Sequence, residues 1–210
     1  MLSTIKQYCE KNWIHIILEG VDATGKTTLI DYLLSSFLTS DILCLRYKQP
    51  YTNIINDYFA CTNKSNQKPE EITALFVADA IVLRQQMNIT KQIFIGGGII
   101  LQDRHVCVSS KTYQSPHMKY EQRWSDILSS IEWQVCDLSL CFIATNEPFV
   151  QKEEMFEDSI LQVAKAEYQY LLKNKHDIDY WLPIRGIDMT NTNAAIDIIL
   201  STITEKIQYV

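Results

Sequence analysis

The chain has 210 residues, 47% of them hydrophobic, and a formal net charge of −6. This length suits one globular α/β domain with a full hydrophobic core. A protein that binds duplex DNA or RNA usually presents a basic field, so the acidic balance argues against a nucleic-acid partner. The first 20 residues are interrupted by charges, and no apolar run approaches the ~20 residues that span a bilayer. We therefore expect a cytoplasmic protein with no membrane partner.

The cysteines agree with a cytoplasmic protein, and the histidines give no sign of a zinc site. None of the six cysteines forms a C-x-x-C pair, and several lie inside apolar runs, which predicts free thiols in a reducing compartment rather than disulfides. The four histidines are scattered and do not have the spacing of zinc ligands.

Short apolar runs alternate with longer amphipathic runs, which predicts a parallel β-sheet covered by crossover helices. The predicted strands cover residues 14–18, 42–47, 99–102, 138–144 and 180–187. The predicted helices cover residues 26–38, 51–60, 69–91, 120–135, 153–173 and 194–208. We find no internal repeat and no low-complexity linker, so residues 1–210 are predicted to form a single domain.

The turn after the first predicted strand fits the phosphate-binding pattern G-x-x-x-x-G-K-[ST]. Its residues are Gly20-Val21-Asp22-Ala23-Thr24-Gly25-Lys26-Thr27, and Thr28 follows in the predicted helix. A strand before the pattern and a helix after it make the match credible. Glycines let backbone N–H groups close on phosphate oxygens, and the helix N-terminus adds a favourable partial charge. The pattern therefore predicts a nucleoside triphosphate site, in which Lys26 reaches the β- and γ-phosphates and the Thr27 hydroxyl is a ligand of Mg²⁺.

This P-loop does not by itself name a reaction, because kinases, GTPases and motor ATPases share it. A GTPase usually carries an N-K-x-D guanine motif. The nearest string here, Asn63-Lys64-Ser65-Asn66, lacks the aspartate. The sequence therefore disfavours a GTPase.

A second polar group follows the third predicted strand. Asp103 ends that strand, Arg104 and His105 follow, and Tyr113-Gln114 come soon after. Open α/β sheets bind ligands at the carboxyl ends of their strands. There Asp103 can hold Mg²⁺ through water, and Arg104 can form a bidentate contact with a second phosphate. Without the P-loop, an ordinary surface ion pair would be the better interpretation of Asp103 and Arg104.

With both groups present, the chain resembles the thymidylate kinase family of P-loop nucleoside monophosphate kinases, as a divergent member. The P-loop with Glu19 before it and Thr28 after it is similar to that family's E-G-x-D-x-x-G-K-[ST]-T. Leu75-Phe76-x-Ala78-Asp79 is similar to L-F-x-A-D-R, and Asp103-Arg104-His105 with Ser109 and Tyr113-Gln114 is similar to D-R-[YH]…S…Y-Q. Weaker similarities are Lys48-Gln49-Pro50 to R-E-P, Phe156-Glu157 to the start of the helix after the lid, and Trp181 and Ile187-Asp188 to the last strand.

The resemblance implies a three-layer α/β/α fold with a five-stranded parallel sheet and a short lid at about residues 146–157. It implies ATP as the phosphoryl donor, Mg²⁺ held by Thr27 and Asp103, and a deoxynucleoside monophosphate, most readily dTMP, as the acceptor. It also implies a homodimer, and the apolar residues on more than one face of the predicted helix 69–91 agree with this.

The resemblance and the motifs together assign three groups of site residues. The expected donor-binding residues are Gly20, Asp22, Ala23, Thr24, Gly25, Lys26, Thr27 and Thr28. The expected acceptor-binding residues are Asp22, Lys48, Phe76, Arg84, Arg104, Ser109, Tyr113 and Gln114. The expected catalytic residues are Lys26, Asp22, Arg104 and Lys152. In the family, Phe76 would stack on the acceptor base, Arg104 would bind the acceptor phosphate, and Asp22 would lie near the sugar 3′-hydroxyl. By its position alone, Phe76 is more readily a core residue.

Two departures affect the acceptor site. Ala80 stands where the family has an arginine that helps to recognise the thymine edge. Arg84 lies one turn further along the same helix face and is the candidate replacement, with a merely solvated arginine as the alternative. One extra residue separates Arg104 from Ser109, which leaves open whether Ser109 or Ser110 faces the base.

A third departure affects catalysis. The family places a catalytic arginine in the P-loop or in the lid, and neither segment has one here. Such an arginine can contribute roughly 10³-fold or more in rate. Lys152 in the predicted lid is the candidate substitute, although a lysine is a point charge and does not reproduce a bidentate contact. Two functions therefore remain: a nucleoside monophosphate kinase, or a nucleotide-binding regulatory or scaffold protein with weak or lost kinase activity.

Overall fold

The computed structural model describes residues 1–63, 66, 68–108, 127, 130–147, 158–174 and 182–209. Its strands are β1 Trp13–Glu19, β2 Cys44–Lys48, β3 Gly98–Asp103, β4 Leu138–Ala144 and β5 Ile184–Ile187. Its helices are α1 Leu2–Cys9, α2 Lys26–Thr39, α3 Ile54–Cys61, α4 Pro69–Ile93, α5 Asp158–Lys173 and α6 Thr192–Ile207. All strand pairs are parallel, and the strand order is β2-β3-β1-β4-β5. The predicted α/β class with a five-stranded parallel sheet is confirmed.

Strand β1 lies at the centre of the sheet and is buried along its whole length. Successive side chains of a strand point to opposite faces, so an unbroken apolar run needs cover on both sides. On one face, β1 residues such as Ile16 pack with Leu33 and Phe37 of α2 and Ile199 of α6. On the other face, Ile17 belongs to a second cluster with residues of α5. Helices on both faces give the three layers that the sequence predicts.

Helix α4 covers the β3 side of the sheet. Its residues Leu83 and Met87 pack with Ile100 of β3 in a third cluster. Pro69 stands in its first turn with Glu70 and Glu71, the start expected from the sequence. The helix runs two residues beyond the predicted end at Lys91.

The predicted helix over residues 51–60 begins three residues too early. The buried Asp79 carboxylate accepts hydrogen bonds from the backbone N–H of Tyr51 (2.8 Å) and of Thr52 (2.6 Å) and from the Thr52 hydroxyl (2.8 Å). These bonds hold the chain in a turn before Ile54, where α3 begins. Asp79, in the second motif of the family resemblance, is thus a structural residue here.

Other predicted boundaries also differ. Strand β2 begins at Cys44 instead of residue 42. The predicted helix over residues 120–135 is wrong at its end, because residues 131–135 are not helical and bury Trp133 and Val135 in the core instead. The last strand was predicted over 180–187, and its described part is Ile184–Ile187. Helix α1 was not predicted; it packs Ile5 and Cys9 against the main core.

All six cysteines are free thiols, as predicted. Burial raises the pKa of Cys9, Cys44 and Cys136 to about 12, so these thiols stay protonated and unreactive near neutral pH. In the described part of the chain, no helix combines the length and apolar character needed to cross a bilayer.

Candidate functional site

The P-loop connects the carboxyl end of β1 to the start of α2, as the motif requires. Gly20 has a φ of 135° and Gly25, the N-cap of α2, has a φ of 97°. Both values lie in the region that favours glycine. A Cβ atom on Gly20 would also lie 2.7 Å from the Cβ of Ala144, so this position has no room for a side chain. Ala23 adds a third positive φ, of 60°, in the same loop. Turns of this kind direct successive backbone N–H groups toward one anion.

Lys26 is buried at the start of α2. Its Nζ donates hydrogen bonds to the backbone oxygens of Gly20 (2.9 Å) and Val21 (2.6 Å). Burial, and next the charge of Arg104, lower the pKa of Lys26 to about 8. An anion in the loop would favour the charged ammonium and raise this pKa again. The side chain therefore has a chemical reason to bind phosphate.

Two further P-loop threonines have different surroundings. Thr24 is fully buried, and its hydroxyl donates to the backbone oxygen of Val21 (2.9 Å), so its side chain stabilises the loop. Thr27 is exposed, and its Oγ1 lies 3.5 Å from Asp103 Oδ2 at the end of β3. Thr28, the last predicted donor-binding residue, is exposed in the first turn of α2.

Thr27 and Asp103 fit a magnesium ion. Strands β1 and β3 are neighbours, and Leu18 pairs with Asp103 in the parallel register. This pairing brings the Asp103 carboxylate beside the P-loop. Hydroxyl and carboxylate oxygens are the hard ligands that Mg²⁺ prefers, and it keeps several water molecules. The two residues assigned to the metal from the sequence thus lie together.

Arg104 follows Asp103 and turns the chain sharply, with a φ of 71°. Its backbone is held by two bonds: its N–H donates to the Leu18 oxygen (3.0 Å), and its oxygen accepts from Gln102 Nε2 (2.7 Å). Its guanidinium Nη2 donates to Asp22 Oδ1 at 2.6 Å. The structure therefore brings together Asp22 and Arg104, both assigned to the acceptor from the sequence.

The sequence assigned no role to Glu19 or Tyr168. Glu19 is fully buried, and its carboxylate accepts hydrogen bonds from the His105 backbone N–H (2.5 Å) and from the Tyr168 hydroxyl (2.8 Å). Tyr168 comes from α5, and its hydroxyl lies 3.5 Å from Arg104 Nη1. The position of Glu19 at a strand end directly before Gly20 was a visible signal. Tyr168 had no signal beyond the amphipathic pattern of its helix.

Asn146 is a further residue that sequence reasoning missed. Its Nδ2 donates to the Thr24 backbone oxygen (3.2 Å), and its Oδ1 accepts from the Met189 N–H (2.9 Å). It follows β4 by two residues, at the beginning of the predicted lid. The side chain thus ties the P-loop to the segment after β5.

The acceptor residues predicted on β2 and α4 lie around the same end of the sheet. Lys48 is exposed at the end of β2 and pairs in register with Asp103. Phe76 is half-buried on α4, and its backbone oxygen accepts from Gln49 Nε2 at 3.5 Å. Arg84 faces inward on α4, one turn from the buried Ala80.

Arg84 lines a small cavity between α4 and the sheet that has both polar and apolar walls. The cavity measures about 10 Å³, close to the space of one water molecule, and its other lining residues include His15, Gln49, Ala80, His105 and Trp133. Within the described residues, Arg84 Nε and Gln49 Oε1 are buried without a hydrogen-bond partner. The Arg84 side chain is 26% exposed, and its Nη2 lies 4.0 Å from Glu132 Oε2, so this arginine is partly buried, while its role toward the acceptor base stays a prediction.

Four predicted site residues, Ser109, Tyr113, Gln114 and Lys152, lie outside the described residues. So do Ser110 and most of the predicted lid, residues 148–157. Their assignments stay predictions.

No protein-family model matches this chain, and a search of the curated proteins finds no match either. The family resemblance therefore depends on the motifs and on their positions in the fold.

Proposed function

We propose that this protein is a nucleoside monophosphate kinase of the thymidylate kinase type. It transfers a phosphoryl group from a nucleoside triphosphate to a deoxynucleoside monophosphate. ATP is the leading candidate for the donor, and dTMP is the leading candidate for the acceptor. The observation that carries the proposal is that two phosphate-recognising groups meet at adjacent strand ends. The P-loop follows β1, Asp103-Arg104 ends β3, and Arg104 is 2.6 Å from Asp22 of the P-loop. A reaction that joins two phosphate anions needs such neighbouring cationic groups.

Each group has a separate task in this reaction. Lys26 and the P-loop amides bind the donor phosphates and neutralise charge that develops on them. Thr27 and Asp103 would hold Mg²⁺, which would supply charge neutralisation for the donor phosphates. Arg104 binds the acceptor phosphate and holds it in line with the donor. No strong general base is required, because the acceptor phosphate is already an anion near neutral pH.

The Asp22–Arg104 ion pair adds a requirement. The Arg104 side chain is 16% exposed and that of Asp22 is 49% exposed. An acceptor phosphate on Arg104 Nη2 has to replace Asp22 as its partner. Asp22 is the more exposed of the two and can turn away, toward the acceptor sugar as the family resemblance implies. Lys152 remains the proposed catalytic residue of the lid, whose closure would exclude water and limit hydrolysis.

The acceptor range is expected to be broad, because Ala80 replaces an arginine that helps to recognise thymine. A site that hydrogen-bonds a substrate group can reject an analogue by about 10⁴-fold, whereas an apolar slot rejects by only ~10–200-fold. We therefore expect acceptors besides dTMP, such as dUMP, to be phosphorylated within about 200-fold of the best one.

A coupled assay of ADP release tests the proposal. Purified protein is given ATP and Mg²⁺ with each of the common ribo- and deoxynucleoside monophosphates in turn. We expect ADP release that depends on the monophosphate, and formation of the corresponding diphosphate by chromatography. ADP release that is independent of every monophosphate would instead indicate an ATPase.

A regulatory or scaffold protein that binds nucleotides is the second candidate. It is favoured by the absence of arginine from the P-loop sequence in a chain with only five arginines. In this case calorimetry would detect binding of ATP and of a monophosphate, while the coupled assay would detect no ADP.

A further inference from the structure

The Tyr168 hydroxyl lies between the strand that carries the P-loop and the guanidinium of Arg104. Tyr168 is 3% exposed on α5. Its oxygen is 2.8 Å from Glu19 Oε2 and 3.5 Å from Arg104 Nη1. One phenol therefore contacts both a buried carboxylate and the arginine that we assign to the acceptor phosphate.

The hydrogen-bonding capacities of these groups fix the direction of the contacts. An ionised carboxylate only accepts hydrogen bonds, and a guanidinium only donates them. The Tyr168 hydroxyl therefore donates its hydrogen to Glu19 and presents its lone pairs to Arg104. The bonds run in one direction, from Arg104 to Tyr168 to Glu19.

The surroundings hold the phenol in this place. The Tyr168 ring belongs to a buried cluster with Ile17 of β1, Cys141 of β4 and Leu171 of α5. The Glu19 carboxylate also accepts from the backbone N–H of His105, the residue directly after Arg104. Glu19 thus fixes the Tyr168 side chain and the chain on one side of Arg104.

Arg104 needs such support because its setting is strained and buried, and because one of its partners has to change. Its φ of 71° lies in a conformation that a side chain other than glycine rarely adopts, and its guanidinium is mostly buried. On the Nη2 side its described partner is Asp22, the ligand that an acceptor phosphate has to displace. While that exchange takes place, another contact must keep the guanidinium in position.

We propose that Tyr168 is a positioning residue for Arg104: it holds Nη1 in place while Nη2 changes partner from Asp22 to an acceptor phosphate. The identity of the anion rests on the proposed function, whereas the holding of the guanidinium does not. Since α5 is the helix that follows the predicted lid, this contact also joins that helix to the acceptor site.

The test compares Tyr168→Phe with Tyr170→Phe, a matched change at a tyrosine of the same helix that is 51% exposed. Hydrogen exchange of the Arg104 Nε–H is followed by NMR in ¹⁵N-labelled protein without nucleotide. The chain has only five arginines, and the Arg104→Lys variant identifies the signal. We expect roughly tenfold faster exchange in Tyr168→Phe, the size of one hydrogen bond to a charged group, and no change in Tyr170→Phe. Equal exchange in the two variants would overturn the proposal.

Steady-state kinetics then connect the contact to the reaction. Tyr168→Phe should raise the acceptor KM by about tenfold and leave the donor KM unchanged. An equal rise in both constants would indicate general damage to the fold and would contradict a positioning role. If the wild-type protein phosphorylates no monophosphate, the proposed function fails, and the exchange measurement alone decides the role of Tyr168.

A second variant keeps the proposal testable if Tyr168→Phe does not fold. Asp22 is half exposed, so Asp22→Asn removes the charge on the Nη2 side with little loss of packing. We expect the Arg104 Nε–H in this variant to exchange at least about tenfold more slowly than in the urea-unfolded chain, because Tyr168 still holds Nη1. Exchange as fast as in the urea-unfolded chain would show that Asp22 alone holds the guanidinium.

Discussion

Lys26 is the single side chain on which phosphoryl transfer should depend most. We expect Lys26→Met to lower kcat/KM by at least ~10²-fold, because the donor phosphates lose their buried ammonium. Methionine has a similar length and tolerates burial, so the protein should still fold, with the thermal midpoint lowered by only a few degrees through loss of the bonds to the Gly20 and Val21 oxygens. The coupled assay and a circular-dichroism melt measure the two effects. Lys6→Met, at an exposed ion pair with Asp41, is the control, and near-wild-type turnover of Lys26→Met would refute the phosphate assignment.

A change at Arg104 should affect the binding of the acceptor and not that of the donor. Arg104→Ala removes the cationic fork proposed for the acceptor phosphate, so acceptor affinity should fall by at least ~10-fold while donor affinity changes little. Calorimetric titration with dTMP and with a non-hydrolysable ATP analogue measures both.

Arg46→Ala provides the matched control for this change. Arg46 also forms an ion pair at 2.5 Å, with Asp31, but its side chain is more exposed, at 30%. Arg46→Ala should leave the affinities for dTMP and for the ATP analogue unchanged. Loss of donor binding with retained acceptor binding in Arg104→Ala would mean that the two sites have to be exchanged.

Which residues of the site can be predicted from sequence depends on how local their geometry is. The strand, turn and helix around the P-loop motif were predicted correctly because they are consecutive in the sequence and the turn needs its glycines. The Asp22–Arg104 and Glu19–Tyr168 contacts join residues 82 and 149 positions apart. They depend on strand order and helix packing, which no local pattern contains. The inward direction of Arg84 was open for the same reason.

At the scale of elements, β1 and β3 share a buried polar pair that should make stability depend on pH. His15 of β1 is 1% exposed, and its Nε2 lies 2.7 Å from Gln102 Oε1 of β3. Burial lowers the pKa of His15 to about 4, and the nearby charge of Lys91 acts in the same direction. Its ring also faces His105, with centroids 5.9 Å apart. The folded protein therefore keeps His15 neutral where an unfolded chain, with a pKa near 6.5, binds a proton.

The sign of the effect follows from this difference. Between pH 6.5 and 4 the unfolded state binds more protons, so the free energy of unfolding falls as the pH falls. We expect a loss of roughly 2 kcal/mol from His15 between pH 7 and pH 5, measured by urea unfolding. His15→Gln places an amide donor near the position of Nε2, toward Gln102, and should lose that part of the pH dependence. An unchanged slope in the variant would show that His15 is protonated in the fold.

Elements differ in how far their own sequence determines them. Helix α4 was predicted to within two residues because proline and two glutamates mark its start and its apolar periodicity is long. Helix α1 has eight residues, no capping side chain and no acidic first turn, so it depends on packing against the core. Residues 131–135 have apolar positions that suit a helix, but they are not helical and instead pack Trp133 and Val135 against residues of α4. Tertiary packing decided both cases.

At the scale of the whole molecule, the outward face of α4 should join two copies of the chain. Val82, Ile89 and Ile93 are 44%, 48% and 68% exposed, while the inward residues of the helix are buried. We expect a homodimer through this face, as the family resemblance implies. Light scattering at micromolar concentration should give twice the chain mass of 24.3 kDa.

The double variant Val82→Glu/Ile89→Glu should shift the protein to the monomer, because it buries two charges in that interface. Leu38→Glu, on the exposed side of α2 at 52% exposure, should leave the mass unchanged. A monomeric wild-type protein would rule out the dimer.

The central place of β1 in the sheet has a consequence for how the chain folds during synthesis. The P-loop is synthesised early, but β1 is flanked by β3 and β4, which follow much later in the sequence. The contact between Thr27 and Asp103 spans 76 residues, and closing a loop of that length costs about 4 kcal/mol of chain entropy. A growing chain therefore carries the whole P-loop motif long before it has Asp103, the carboxylate proposed to share Mg²⁺ with Thr27. Under the proposed function, nucleotide and Mg²⁺ would bind only the finished sheet, so the ligand would favour completed molecules over partial ones.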